Sequence, residues 1–365
     1  MSLFLLSGLL YSLALPAQEG KIDWSVPVRL PQGLAGVLAG VDHGVMLVGG
    51  GCNFPDSMPW AGGKKRYYHA VYVVERRGGH WGCLEAFSLP ENTAYGASVS
   101  TPQGVIYIGG ENEDGVSARV YCLQWDSVAR KVRVRRLADL PVAVSNAAAS
   151  VMGQTVYVAG GETRTGVSSG LYALDLGVDG ARWELVSELP KPLSHAVLVA
   201  SGRGLWLAGG RKRNPGGLSD LSDAVYRYEP GVRRWNECRH LPYAWSAGAG
   251  VLLDENSLLL IGGDRGEVFH RVEELIGEIA RTSDAAERQE LVLQKARVQS
   301  SHPGFSQQLL LYDMRRDVWR VYEELGFPAP ATTVAVRWND DIVIPGGEIK
   351  AGVRTPQILI GAINR

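Results

Sequence analysis

The chain has 365 residues, 45% of them hydrophobic and 21% charged, a balance that excludes a disordered chain, a coiled coil and a polytopic membrane protein. Its 37 basic and 38 acidic residues leave a formal charge of −1. No global field therefore draws nucleic acid or anionic lipid, and any anion-binding site must be local. Glycine is the outlier at 45 residues, about 12% against roughly 7% on average.

The first element is an apolar run of 13 residues from Leu3 to Leu15, shorter than the roughly 20 residues that cross a bilayer. Ala14 and Ala17 then fit an A-x-A-like cleavage site before Gln18. Residues 1–17 are expected to be an export signal, and the mature chain periplasmic or secreted with no membrane attachment. No Lys or Arg precedes the run, so an uncleaved anchor is the alternative. The cysteines, Cys52, Cys83, Cys122 and Cys238, have no C-x-x-C spacing, which argues against a zinc or thioredoxin-like site. They read as small buried thiols, with a disulfide in any of three pairings as the alternative in an oxidising compartment.

From residue 45 onward a strand-like run ending in Gly-Gly recurs six times: VMLVGG (45–50), VIYIGG (105–110), VYVAGG (156–161), LWLAGG (205–210), LLLIGG (258–263) and IVIPGG (342–347). Each doublet leads through a polar loop to a second β-rich segment. An outer tryptophan (Trp81, Trp183, Trp235 or Trp319) follows in four repeats, and a Leu-Pro or Phe-Pro corner in five. Repeat two reads KVRVRRL (131–137) in place of its tryptophan strand. This is the kelch pattern, with a period near 50 and four strands per blade. It predicts an all-β, six-bladed kelch-type β-propeller filling residues 18–365 as a single domain. The sixth repeat lacks its outer strand, and the missing Trp strand and Leu-Pro corner stand at residues 22–31. Strand 22–30 is therefore expected to close the last blade and remove its open edges.

Two blades carry long insertions. Residues 51–68 of blade one are rich in Gly, Pro and aromatics. In the blade-five insertion, 264–306, Val268, Val272, Leu275, Ile276 and Ile279 fall at helical spacing, and Asp284 with Glu287 offers a start for a second helix. The spacing predicts a helical hairpin over the face that carries the blade-to-blade corners, with the central funnel there as the binding site. Tyr95, Asn146, His195, Trp245 and Thr333 follow those corners.

Three doublets lead directly into glutamate: Glu111, Glu162 and Glu348. Only Glu348 lies in a short loop, GGEIKAGVRT, whose far end carries an arginine, Arg354. A hairpin of that length returns the guanidinium to the carboxylate, combining a base with a carboxylate-binding fork. Weaker candidates are Arg265, Glu267 and His270 at the start of the blade-five insertion, which also read as a solvated helix start. Arg66, Tyr68 and His69 in blade one and His195 are further weak substrate-binding candidates, and His69 and His195 read first as hydrogen-bonded structural histidines. The Lys64-Lys65-Arg66 run reads as a solvated loop that could attract an acidic sugar. No His/Tyr cluster supports a metal, and sialidase boxes are absent apart from VDGARW (178–183).

At GGEIKAGVRTPQILIG, at IGGDRGEVFHRVEEL through SHPGFSQQLLLYDMRRDVW, and at GGGCNFPDSMPWAGGKKRYYHAVYV, the sequence resembles the bacterial N-acetylneuraminate epimerase (sialic acid mutarotase) family, in a circularly permuted order. The resemblance implies interconversion of the α and β anomers of free sialic acid by acid–base ring opening and closure, with no cofactor and no nucleic-acid partner. It places the family's glutamate and arginine at Glu348 and Arg354. A non-catalytic kelch module binding carbohydrate or protein, or a mutarotase for another sugar, is the alternative.

Overall fold

The computed structural model describes residues 21–363, so the expected export signal at 1–17 lies outside the described residues. Six antiparallel blades follow one another around an axis. Blade one comprises Ala35–Asp42, Val45–Asn53, Ala70–Arg77 and His80–Ser88, and the next four repeat that plan. Blade six combines Val336–Trp338, Asp341–Pro345 and Gln357–Ile363 with Ile22–Arg29, which pairs antiparallel with Gln357–Ile363 as its outermost strand. The structure is thus an all-β six-bladed propeller with a helical insertion in blade five.

A twisted four-stranded sheet has two apolar faces and can cover both only against neighbours. Burial accordingly divides into six seams, one between each pair of adjacent blades. The seam between blades six and one, for example, joins Val343 and Ile360 to Val37, Met46 and Val48. Trp81 of blade one's outer strand meets Trp338 of blade six edge-on at 5.3 Å, and Trp183 donates its indole N–H to the Ala138 carbonyl at 2.9 Å. Blade two, without an outer tryptophan, uses Trp125 on its third strand, edge-on to Phe87 at 6.3 Å.

The glycine doublets end the second strands in the left-handed region, for example Gly109 and Gly110 with φ of 66° and 99°. Blade one departs from the expected phase. Among Gly49, Gly50 and Gly51, the left-handed pair is Gly50 and Gly51, at 58° and 86°, so its repeat runs one residue later than the sequence reading.

Two rings result at the axis. The inner one is Gly36, Tyr95, Asn146, His195, Ala247 and Thr332, all with φ between 50° and 65°. Each amide N–H donates to the carbonyl of the preceding member at 2.7–2.9 Å, closing a circle of six hydrogen bonds. In blades five and six the ring members are Ala247 and Thr332 rather than the neighbouring Trp245 and Thr333; Trp245 is buried, its indole N–H on the Gly262 carbonyl at 2.8 Å. The second ring is the residue after each left-handed doublet: Cys52, Glu111, Glu162, Arg211, Asp264 and Glu348. A bridge to the residue just before the inner-ring member pins each one, as in Ala331↔Glu348 and Ser194↔Arg211.

The blade-five insertion forms helices α1 (Glu267–Arg281) and α2 (Ala285–Ser300). The Asp284 carboxylate caps α2 by accepting from the Ala286 and Glu287 amides, and the Glu287 carboxylate takes the Thr282 hydroxyl rather than completing a capping box. Glu273 of α1 accepts from the Ser219 amide and hydroxyl, tying the helix to blade four. α2 packs on the short helical turn Pro59–Ala61, so the two insertions meet above the axis.

Candidate active site

Below the insertions and above the inner ring lies a cup of about 310 Å³. Its charged lining is Lys65, Glu111, Glu162, Arg211, Asp264 and Glu348, joined by His195 and His302 and by Phe269 of α1. The inner ring divides this cup from a narrow axial channel lined largely by Gly, Ala and Val.

Glu348 and Arg354 are direct cross-strand partners on the hairpin Glu348–Lys350/Val353–Arg354, which brings their side chains together on one face. Arg354 Nη2 lies 3.2 Å from Glu348 Oε2, and the other carboxylate oxygen accepts the Gly352 amide at 2.5 Å. The guanidinium also donates to the Tyr95 hydroxyl at 3.2 Å and the Gly352 carbonyl at 3.1 Å, and it lies 4.7 Å from the Phe54 ring. Its side chain is only 6% exposed. Burial works against its charge, but Glu348, Tyr95 and Cys52 together outweigh burial and hold it above the ordinary arginine value. Among the described residues lining the cup, Glu348 is present and Arg354 is not: the arginine stands behind the carboxylate.

Across the cup His195 comes from the corner before blade four, Arg211 from the short strand Arg211–Lys212 that follows that blade's glycine doublet, and Glu162 from blade three. His195 Nε2 is 3.1 Å from Arg211 Nη2. A guanidinium has no acceptor, so Nε2 must carry the lone pair and Nδ1 the proton. Nδ1–H then points to the Ser194 hydroxyl at 3.1 Å, with Glu162 Oε1 behind it at 3.6 Å. Burial, followed by the Arg211 charge, pushes the imidazole well below its ordinary value, which keeps it neutral. Arg211 lies 3.8 Å from Glu162 Oε1 and 4.5 Å from the Phe269 ring centre. Burial pulls it down from the ordinary arginine value, only partly countered by Glu162, Asp264 and Glu273. On a third side Glu111 accepts from Lys65 at 3.2 Å, Tyr67 at 2.8 Å and Ser145 at 3.1 Å.

The remaining candidates lie away from the cup. Arg265 sits on the Tyr243 ring at 3.7 Å and donates to Gln308. Glu267 lines a separate shallow recess at the start of α1. His270 Nε2 lies 2.8 Å from the Ser219 carbonyl, so it donates there and anchors the helix. Arg66 pairs with Asp56 in solvent, Tyr68 donates to Asn53, and His69 meets Asn92. Sequence reading missed Arg211, Asp264 and His302. The first two were detectable, because each follows a glycine doublet just as the three glutamates do.

A family model described as N-acetylneuraminate epimerase matches residues 137–365. The chain is similar to proteins of that name from Haemophilus influenzae (26% identical over 223 residues), Pasteurella multocida (24% over 230) and Brucella melitensis (27% over 224). The matched stretches cover 60–62% of this chain and 57–59% of those relatives, so the chain spans a little over half their length. Glu162, His195, Arg211, Asp264, Glu348 and Arg354 fall inside the matched region, whereas Lys65, Tyr95 and Glu111 lie before it. On this match, the chain belongs to the N-acetylneuraminate epimerase family.

Proposed function

We propose that this protein is a mutarotase that interconverts the anomers of N-acetylneuraminate in the periplasm or outside the cell, with Glu348 as its base. The observation that carries the reading is the position of Glu348: it faces an axial cup of about 310 Å³ and is held from behind by Arg354. That volume is at the low end of small-ligand pockets, which run from about 300 to 1,000 Å³. It suits one monosaccharide better than a polymer.

In the proposed cycle Glu348 takes the proton of the anomeric hydroxyl while an acid protonates the ring oxygen. The ring C–O bond breaks to give the open-chain ketone, rotation turns the carbonyl face, and the reverse transfers close the other anomer. The ring C–O bond that breaks is re-formed, and nothing is oxidised or transferred to a second molecule, so the cycle calls for no cofactor. Positioned acid–base catalysis contributes about 10²–10⁴-fold, a useful margin for a reaction that already proceeds in water.

Saturation-transfer NMR of anomer exchange tests this. Exchange should fall about 10²–10⁴-fold in Glu348→Gln. An unchanged rate removes Glu348 as the base, and wild-type exchange no faster than buffer leaves a binding module. One observation favours a second reading: Glu111, Glu162, Asp264 and Glu348 line the cup against only Lys65 and Arg211, a polarity that also suits the hydroxyls of a neutral sugar. Exchange of neutral hexoses, measured in parallel, distinguishes the two.

A further inference from the structure

A cup with more carboxylates than cations can accept an acidic sugar only where one cation is left uncompensated. Three cations stand near it. Lys65 is in direct contact with Glu111 at 3.2 Å and lies 4.7 Å from the Tyr95 ring. Arg354 is in direct contact with Glu348 at 3.2 Å, also holds Tyr95, and does not line the cup among the described residues. Arg211 differs from both. Its one hydrogen-bonded side-chain partner among the described residues is the neutral His195 ring, and its nearest carboxylate stays at 3.8 Å.

The guanidinium of Arg211 is nevertheless built into place. The bridge between Ser194 and Arg211 pins its backbone, Phe269 of α1 lies against its face, and His195 Nε2 takes one N–H. A planar fork fixed in this way, with further N–H groups available, matches a carboxylate in two-pronged geometry. We infer that Arg211 is the carboxylate receptor of the cup, with His195 as the positioning residue that aims it, and that Arg354 serves Glu348 instead. The inference deepens the proposed function and rests on its reading of the cup as a site for an acidic sugar. It assigns acid selectivity to blade four and the α1 helix, about the axis from the proposed base. Direct loss of carboxylate recognition should therefore follow changes at Arg211, His195 or Phe269.

The test is NMR of the full chain labelled with ¹⁵N-arginine, the Arg211 and Arg354 Nε–H signals being assigned from Arg211→Lys and Arg354→Lys. Pyruvate, N-acetylneuraminate and the neutral N-acetylmannosamine are titrated separately. The Arg211 signal should move with both carboxylates and not with the neutral sugar, and N-acetylneuraminate affinity should fall about 10- to 100-fold in Arg211→Lys, the loss of one charged hydrogen bond. Movement of the Arg354 signal alone, unchanged affinity in Arg211→Lys, or carboxylate binding that moves neither signal overturns the inference. Anomer exchange alongside a still Arg211 signal overturns it while the proposed function stands. If pyruvate moves Arg211 but N-acetylneuraminate does not bind, the receptor stands and the sialic acid reading falls. His195→Asn supplies a readout on the wild-type arginine: the Arg211 signal should broaden or shift without ligand, and a purely structural histidine would leave it in place.

Discussion

Glu348 and Arg354 face each other across one hairpin, six residues apart in sequence, whereas Glu162, His195 and Arg211 are gathered from two blades and a corner. In the first group the opposite charges touch, and the arginine is held above its ordinary value. In the second a neutral imidazole stands beside the arginine, the carboxylate stays farther off, and burial keeps the guanidinium below its ordinary value. The same residue types thus give a self-neutralised pair on one side and a cation with capacity for a ligand on the other. Local sequence spacing finds the first kind and is blind to the second.

The contrast breaks most visibly in stability. Arg354→Met leaves Glu348 unpaired beside the hub and should cost about 3–5 kcal/mol in urea unfolding, with much of it recovered in the double variant with Glu348→Met. Arg211→Met removes a cation that is hydrogen-bonded to a neutral imidazole and has its nearest carboxylate at 3.8 Å, and should cost about 1 kcal/mol, the scale of one hydrogen bond. Equal losses at the two arginines would erase the distinction.

A smaller effect follows pH. Burial depresses His195 below its unfolded value, and His302 is lowered by the same cause. Above about pH 6.5 the imidazole is neutral in both folded and unfolded chains, and its contribution is constant. Below that pH the unfolded chain takes up a proton that the folded one refuses, so stability falls by up to about 1.4 kcal/mol per pH unit for each histidine, down to the folded value. His195→Asn should flatten that slope by up to one histidine's share, measured by urea unfolding at pH 5, 6 and 7. Asparagine already occupies the equivalent left-handed position at Asn146, with φ of 53°. An unchanged slope would mean that the imidazole is not held neutral by its surroundings.

The smallest effects belong to candidates outside the cup. Arg66→Ala, His69→Ala and Glu267→Gln should each change stability by no more than about 0.5 kcal/mol, the usual range for surface positions, and leave sugar affinity within twofold. A large loss of affinity in any of them would move the site toward that residue.

Much of the architecture was legible because the repeat writes the same physical demand six times: a left-handed doublet where the second strand ends, then a polar turn. The helical hairpin was legible from the spacing of Val268, Val272 and Leu275. Blade one misled because three consecutive glycines, Gly49 to Gly51, allow two phases, and only the corner that meets them selects one. That Ala247 and Thr332, and not the neighbouring Trp245 and Thr333, enter the inner ring was not legible, because a proline corner fixes a region and not a residue. The pairing of Glu348 with Arg354 could be read from hairpin length. The cluster of Glu162, His195 and Arg211 could not, since it exists only once blades three and four stand side by side.

The circle of amide-to-carbonyl bonds at the hub asks nothing of the side chains that project from it. Five of its six members are not glycine and hold left-handed backbone all the same, a strain of about 1 kcal/mol each that the closed circle offsets. Gly, Tyr, Asn, His, Ala and Thr all occupy equivalent places, so these positions act as sockets in a fixed frame. New groups can be fitted there, and at the pinned positions beside them, without redrawing the backbone. One hub can therefore be refitted for a different sugar by a few substitutions, with the six seams that hold the blades together left untouched.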